Sequence, residues 1–350
     1  MKVFKYILIL LIVFLISGYF LLQNHSVQNR LFENTVRALF QTDEIFMNDA
    51  LSVAVCGSRA PLPSPNRAET CLLVQAGTSK FIIDAGRGSA DNLQRWRVDY
   101  SDLEAVILSH LHSDHISDLH EVQFQSWLGG RKTPLSVIGP IGTASTAQGF
   151  EQAFKLDSIY RSEHHGAILP IEAYGYDVVE FEGDAKLIFE NEDTKITAFK
   201  VDHSPVDPSY AFKIEYKDRS IVISGDTVSL EVMTEYSKGV DVLFHDALAK
   251  PLIQEMEKIS EEIGNNIVSK VLFDIQDYHA NTVEVADIAR KAEVDLLVFY
   301  HLIPAPRNYI SEQMFLRGVD EIFTNYHVSE DGTLVSLPAG SDEILIDLID

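Results

Sequence analysis

Leu103-Glu104-Ala105-Val106-Ile107-Leu108-Ser109-His110-Leu111-His112-Ser113-Asp114-His115 is the stretch on which the fold turns. Its first half is an apolar run of strand length, and its second half packs three histidines and a carboxylate into six positions. A buried strand carries the backbone to a sheet edge. The loop beyond it can then turn His110 and His112 to one side and Asp114 and His115 to another. Imidazole and carboxylate at this density suit zinc or iron, and the two directions suit two adjacent metals.

The same arrangement recurs downstream. His203 ends the run 196–202, Asp226 follows Ile221-Val222-Ile223-Ser224 in a Gly225-Asp226-Thr227 turn, and His301 follows Leu296-Leu297-Val298-Phe299-Tyr300. Each sits just past an apolar strand, where residues from separate strands can meet at one edge of a layered α/β protein. Strands are expected at about 52–56, 71–75, 80–84, 105–109, 135–139, 196–200, 211–216, 220–224, 240–244 and 296–300. Helices are expected at 116–128, 143–154, 230–237, 252–263 and 283–292; the last has Val285, Ile288, Ala289 and Ala292 at helical spacing. A length of 350 residues with 46% hydrophobic content supports one sizeable core and no more than two domains.

Taken in order, Asp84 in Phe81-Ile82-Ile83-Asp84-Ala85-Gly86, the His-x-His-x-Asp-His run, His203, Asp226 and His301 resemble the motifs of the metallo-β-lactamase fold hydrolases. The likeness spans about residues 52–339. It implies an α/β (α+β) chain folded as a four-layer αββα sandwich. It also implies that His110, His112 and His203 hold one metal, that Asp114, His115 and His301 hold the other, and that Asp226 bridges them. Asp84 would orient the histidine loop through hydrogen bonds, as ligands require. Two zinc ions are expected, with iron or manganese as alternatives.

Within this superfamily the chain is most similar to the tRNase Z and arylsulfatase-type branch. Val53-Ala54-Val55-Cys56-Gly57-Ser58 matches its first strand and glycine turn, and the Pro-rich stretch Pro61-Leu62-Pro63-Ser64-Pro65-Asn66-Arg67 follows. The His-Glu-Ala-Thr motif of the tRNA enzymes is altered to His245-Asp246-Ala247-Leu248, and their His-Ser-Thr to His279-Ala280-Asn281-Thr282. Their protruding arm has no room in the 22 residues between His203 and Asp226. Two ions sharing a water lower its pKa and yield a hydroxide nucleophile while polarising the scissile ester. Asp114 can orient that nucleophile. His279, supported by Asp246, is the expected proton donor to the leaving group, with His245 as the alternative.

These features lead to an expected metallo-hydrolase acting on a small ester, with a sulfate ester or phosphodiester ahead of a lactone or thioester. A tRNase Z-like ribonuclease and a non-catalytic metal-binding interaction protein are the alternatives. A balance of 28 basic to 52 acidic residues gives a net charge of −24, whereas phosphate-backbone binding relies on clustered Lys and Arg. Nucleic acid is therefore not expected as a partner. The oligomeric state is open, a homodimer included.

After Lys2 and Lys5, residues 6–22 form an uncharged, almost wholly apolar run, and no charged residue appears until Arg30. That run is close to the length of a membrane span and lacks a small-x-small cleavage site. It is read as a transmembrane anchor or uncleaved signal over residues 1–23, followed by a linker helix over 24–49 and the hydrolase domain over 50–345. The flanking lysines place the domain outside the cytoplasm, in the periplasm of a Gram-negative cell. Cys56 and Cys71 fall on neighbouring strands, either as a disulfide clamping the Pro-rich loop or as two buried thiols. Residues 157–193, with Tyr160, Tyr174 and Tyr176, read as an insertion near the cleft. Glu330-Asp331-Gly332 reads as a hairpin turn, and His120, His164 and His165 as surface residues.

Overall fold

The computed structural model describes residues 2–39 and 45–349, which divide into two compact units. The first contains two helices, α1 (Lys2–Leu22) and α2 (His25–Leu39). Residues 4–22 of α1 are long and apolar enough to cross a membrane by length and composition, and their side chains are exposed. The expected linker over 24–49 contains α2, while its residues 40–44 lie outside the described residues.

The second unit is built on two mixed sheets. Strands β1 (Ala50–Gly57), β2 (Cys71–Ala76), β3 (Ser79–Ile83), β4 (Leu103–Ile107), β5 (Leu135–Pro140) and β6 (Tyr176–Phe181) belong to the first. The second sheet takes β7 (Ala185–Glu190), β8 (Thr194–His203), β9 (Val206–Tyr216), β10 (Arg219–Ile223), β11 (Val242–Leu248), β12 (Leu296–Ile303) and β13 (Tyr326–Val328). The chain then returns through β14 (Thr333–Pro338) and β15 (Leu345–Leu348) to the first sheet, giving the order β15-β14-β1-β2-β3-β4-β5-β6. The second runs β13-β12-β11-β10-β9-β8-β7. Strand β15 carries the sheet past the expected boundary at 345.

Strand alternation explains the layers. Leu51, Val53 and Val55 of β1 join Ile221 and Ile223 of β10 and Val298 of β12 in a core between the sheets. The intervening Ala54 and Cys56 face the other way, into a core shared with α3 (Ser89–Arg95), α4 (Ser113–Ile116), α5 (Leu119–Leu128) and α6 (Thr143–His165). On the far face of the second sheet, Val222, Leu297 and Phe299 pack with side chains of α7 (Glu231–Tyr236) and α10 (Thr282–Ala292). In α10, Val285, Ile288, Ala289 and Ala292 are the buried stripe, and an Asn281–Glu284 capping box starts the helix. Helices α8 (Lys250–Glu262), α9 (Asn266–Asp274) and α11 (Tyr309–Phe315) complete the unit.

Three expectations are corrected. The helix expected over 116–128 breaks at Asp118, whose carboxylate accepts the Gly88 and Ala90 N–H groups and so ties the helical layer to the loop after β3. Residues 157–193 form no insertion at the cleft: 157–165 extend α6, and β6 and β7 are edge strands of the two sheets. Tyr160 is exposed and Tyr174 packs on Trp127. Glu330-Asp331-Gly332 joins strands of different sheets rather than a hairpin, and Asp331 accepts hydrogen bonds from Ser58, Ala68 and Asn92. Cys56 and Cys71 are joined in a disulfide.

Candidate metal centre

All seven expected ligands converge at one edge of the two sheets. The first sheet ends β4 at Ile107, and the next eight residues bring His110, His112, Asp114 and His115 round on a loop that runs into α4. Gly86 permits this close passage, since a Cβ there would lie 2.1 Å from the Asp114 carbonyl oxygen. The second sheet supplies the rest from three strands. His203 and His301 each lie at a register shift, in β8 against β9 and in β12 against β11. His301 has φ +45, so the bulge turns its ring off the regular pleat toward the site. Gly225, at φ +57 with Tyr210 carbonyl packed where a Cβ would sit, makes the turn that presents Asp226.

The rings meet closely. His110 Nε2 and His112 Nδ1 are 3.0 Å apart, and His203 Nε2 is 3.3 Å from the same His112 nitrogen. On the other side His301 Nε2 lies 3.2 Å from Asp114 Oδ2, and His115 Nε2 lies 3.6 Å from that oxygen. Asp226 Oδ2 stands between the groups, 3.3 Å from His115 and His301 and 3.7–3.8 Å from His203 and His110. His110, His112, His203 and Asp226 form one set with ligand atoms mutually within 4.8 Å; Asp114, His115, Asp226 and His301 form a second. Either set could hold a divalent cation.

Supporting hydrogen bonds fix which ring nitrogens face inward. His203 Nδ1–H donates to the Tyr278 carbonyl at 2.9 Å, and His115 Nδ1–H donates to Asp84 Oδ2 at 2.8 Å. Each leaves Nε2 as the inward lone pair. Asp84, itself at φ +58, also accepts the Ser109 backbone N–H at 2.8 Å and the Ser109 hydroxyl at 2.7 Å. Buried His115 Nε2 and Asp226 Oδ1 have no hydrogen-bond partner. Unpaired buried polar atoms are costly, and inward-facing ligand atoms of this kind fit a divalent cation.

Electrostatics agree with that fit at His110, His203 and Asp226 and run the other way at His115. Burial, reinforced by the His115 ring, pushes His110 well below the usual imidazole value, and burial brings His203 to about 4. Both are thus neutral ligands near pH 7. Burial opposes ionisation of Asp226, but the His301 and His115 rings outweigh it and hold the carboxyl well below the usual range. For His115 burial is outweighed by the carboxylates of Asp226, Asp84 and Asp114, which raise it.

A cavity of about 290 Å³ opens over the cluster, walled by Ala60, Pro61 and Leu62 of the Pro-rich loop and by Val271, Ile275, Tyr278 and Ile303. His112, Asp114, Asp226, His279 and His301 face it. His279 Nδ1–H donates to Asp246 Oδ2 at 2.8 Å, and its ring centroid lies 4.9 Å from that of His203 and 5.4 Å from that of His301. Burial disfavours an ionised Asp246, and hydrogen bonds from His245 and His279 reverse the balance. His245 is fully buried, does not wall the cavity, and points Nδ1 at its neighbour Asp246.

The comparisons fit this geometry. The family model described as anti-Pycsar protein Apyc1 matches residues 57–286. Ribonuclease Z of Mycobacterium bovis BCG is 34% identical over 261 residues, covering 73% of this chain and 87% of the relative. The chain belongs to the ribonuclease Z and Apyc1 branch of the metallo-β-lactamase fold. Ribonuclease Z of Mycobacterium marinum matches over the same shares at 34% identity. Two solved structures share the fold across 82% of this chain. They are the metallo-β-lactamase fold protein YhfI of Bacillus subtilis (20% identity, TM-score 0.61, all of that chain) and human tRNase Z, short form (19%, 0.59, 99% of that chain).

This metallo-hydrolase corrects two expectations about partners. Relatives named for ribonuclease activity overturn both the small-molecule ester partner and the exclusion of nucleic acid. A net charge of −24 does not decide the matter, because local potential depends on where the 28 basic residues lie in the fold. The sequence reading also passed over Ser109 and Tyr278. Ser109 sits beside His110 and joins Asp84 to the histidine loop, and Tyr278 beside His279 orients His203 through its carbonyl. Their only sequence signal is adjacency to a motif histidine. His164 and His165 are exposed, while His120 is half-buried against Phe154.

Proposed function

We propose that this protein is a dinuclear metal-dependent phosphodiesterase that cleaves nucleic-acid phosphodiester bonds, in the manner of a ribonuclease. The observation that carries the reading is the convergence of six other candidate ligands about Asp226 in a chain 34% identical to ribonuclease Z. His110, His112 and His203 would hold one cation and Asp114, His115 and His301 the other, with Asp226 within reach of both sets; zinc would suit the nitrogen-rich donors. When bound, the two cations supply an activated water and polarise the phosphoryl oxygens.

The chain's own residues do the rest. Asp114, which also faces the cavity, orients the attacking oxygen, and Asp84 keeps the His115 ring aimed inward through its Nδ1 hydrogen bond. His279 gives its Nε2 proton to the departing oxygen while Asp246 stabilises the imidazolium through Nδ1. His245, enclosed beside Asp246, supports that carboxylate from behind. The apolar walls of the cavity, about 290 Å³, leave room for one nucleotide-sized group at the scissile bond.

Strands β9 and β10 fill most of the chain between His203 and Asp226. A single-stranded end is therefore the substrate that this compact site favours over a folded RNA body gripped at a distance. Helix α1 tethers the enzyme to a membrane, with Lys2 and Lys5 on the cytoplasmic side and the domain in an oxidising compartment that suits the Cys56–Cys71 disulfide.

The test is cleavage of a single-stranded oligoribonucleotide by the full chain in detergent, with and without zinc or manganese reconstitution. Metal-dependent cleavage that disappears in Asp226→Ala supports the reading. An oligoribonucleotide left intact by a metal-loaded enzyme that hydrolyses other esters overturns it.

A further inference from the structure

Residues 65–68 of the Pro-rich loop line a second cleft of about 440 Å³, which shares no lining residue with the catalytic cavity. Arg59, Arg67, Arg87 and Arg95 line it, against Asp91 and Asp331 in the lining and the buried Glu69 that pairs with Arg59 and Arg87. Across the whole chain the ratio is inverted, 28 basic residues to 52 acidic. One of those carboxylates is already committed. Asp331 Oδ1 accepts the Ser58 N–H and hydroxyl, its Oδ2 accepts Ala68 N–H and Asn92 Nδ2, and burial raises its pKa.

The same loop walls the cleft and the catalytic cavity. Arg59, 5% exposed and paired with Glu69 at 3.1 Å, donates to the carbonyls of Ala60 and Leu62, two residues that line the cavity. Its Nε also donates to the Arg67 carbonyl. Arg67 is held in turn by Ser58 and Ser329. The inner arginines thus stiffen the loop, while Arg87 and Arg95 reach solvent from the outer rim; the Arg87 side chain is 68% exposed although it pairs with Glu69. A strand leaving the metal centre over residues 61–67 would pass from the cavity to this rim.

We propose that this cleft is a second phosphate site, in which Arg87 and Arg95 bind backbone phosphates of the same nucleic-acid strand whose scissile bond lies at the metal centre. The proposal rests on the nucleic-acid reading above. It explains how an acidic chain holds a polyanion, because guanidinium groups clustered at one place set the local field whatever the net charge. Guanidinium also matches phosphate geometry through two parallel hydrogen bonds that lysine cannot reproduce.

The experiment uses the full chain in detergent and measures cleavage and anisotropy-detected binding of a short single-stranded oligoribonucleotide over a salt series, with bis-nitrophenyl phosphate as a diester too short to reach the cleft. Arg87→Ala/Arg95→Ala should raise the oligonucleotide KM about 10–100-fold. It should also flatten the logarithmic salt dependence of binding by about 0.7 for each phosphate that the protein no longer neutralises. Arg87→Lys/Arg95→Lys should restore part of the salt dependence and less of the KM. Turnover of the small diester reports that the variants are folded. Oligonucleotide KM and salt slope unchanged in a variant that still cleaves RNA would overturn the second site and leave the function intact. RNA bound through these arginines but never cleaved would overturn the function and keep the site. A wild-type chain that neither binds nor cleaves RNA overturns both.

Discussion

The two sheets deliver ligands in opposite ways. The first supplies four from one loop of six residues, carried directly off β4 into α4. The second supplies three from three strands, and two of those, His203 and His301, lie at register shifts in otherwise regular ladders. A contiguous loop fixes its ligands relative to one another before the fold is complete. A set spread over strands is fixed only when the core between the sheets has formed. Asp226 is where the two halves meet, within 4 Å of rings from both.

That comparison is broken most severely at the shared carboxylate. Asp226→Ala should lower turnover by at least about 10⁴-fold, the scale on which removing one member of a catalytic unit acts. It should also reduce metal content at both positions. Loss of one metal alone, read by mass spectrometry of the metals, would mean that the halves bind independently.

His279→Ala separates ligation from proton transfer. The ring lies against those of His203 and His301 but pairs with Asp246, so kcat should fall about 10²–10⁴-fold with metal content retained. The loss should shrink for a substrate whose leaving group needs no proton, such as a nitrophenyl ester. An equal loss on both substrates would remove His279 from that role.

A smaller effect tests the support behind the first sheet's loop. Asp84→Ala removes the acceptor of both Ser109 and His115, and metal affinity should fall about 10–100-fold. Asp84→Asn keeps a residue that tolerates φ +58 and should lose less. Titration with a competing chelator measures both.

The smallest catalytic effect belongs to the disulfide. Cys56→Ser/Cys71→Ser opens a link between residues 15 apart and should cost about 3 kcal/mol of stability. The metals should remain bound, since neither sulfur lies in a ligand set. A melting curve gives the stability, and unchanged metal content checks the separation.

Most of the layered core could be read from the sequence, because β1, β4, β10 and β12 are apolar runs bounded by turns and both faces of each are buried. The ligand positions could be read because each follows such a run. The bulge at His301 could not: the apolar run reads as a strand ending at Tyr300, whereas β12 continues to Ile303, and only pairing with β11 reveals the extra residue. Strands β6 and β7 escaped because edge strands keep polar and exposed residues, which weakens their apolar signal. Helix α9 escaped for the opposite reason, since it exposes Ile267, Val268 and Val271 and lacks a clean polar face. The arginine cleft was hidden by distance along the chain: Arg59 and Arg67 lie in one loop, Arg87 and Arg95 beyond β3, and only the fold brings them together.

The central claim is that both sheets jointly build one dinuclear phosphodiesterase site on Asp226. Its most direct measurement pairs metal stoichiometry with cleavage of a single-stranded oligoribonucleotide, for the wild-type chain and Asp226→Ala side by side. The account predicts two metals per wild-type chain with metal-dependent cleavage, and loss of both in the variant. A wild-type chain that binds no metal after reconstitution with zinc, iron or manganese, or cleavage that survives in Asp226→Ala, would contradict it.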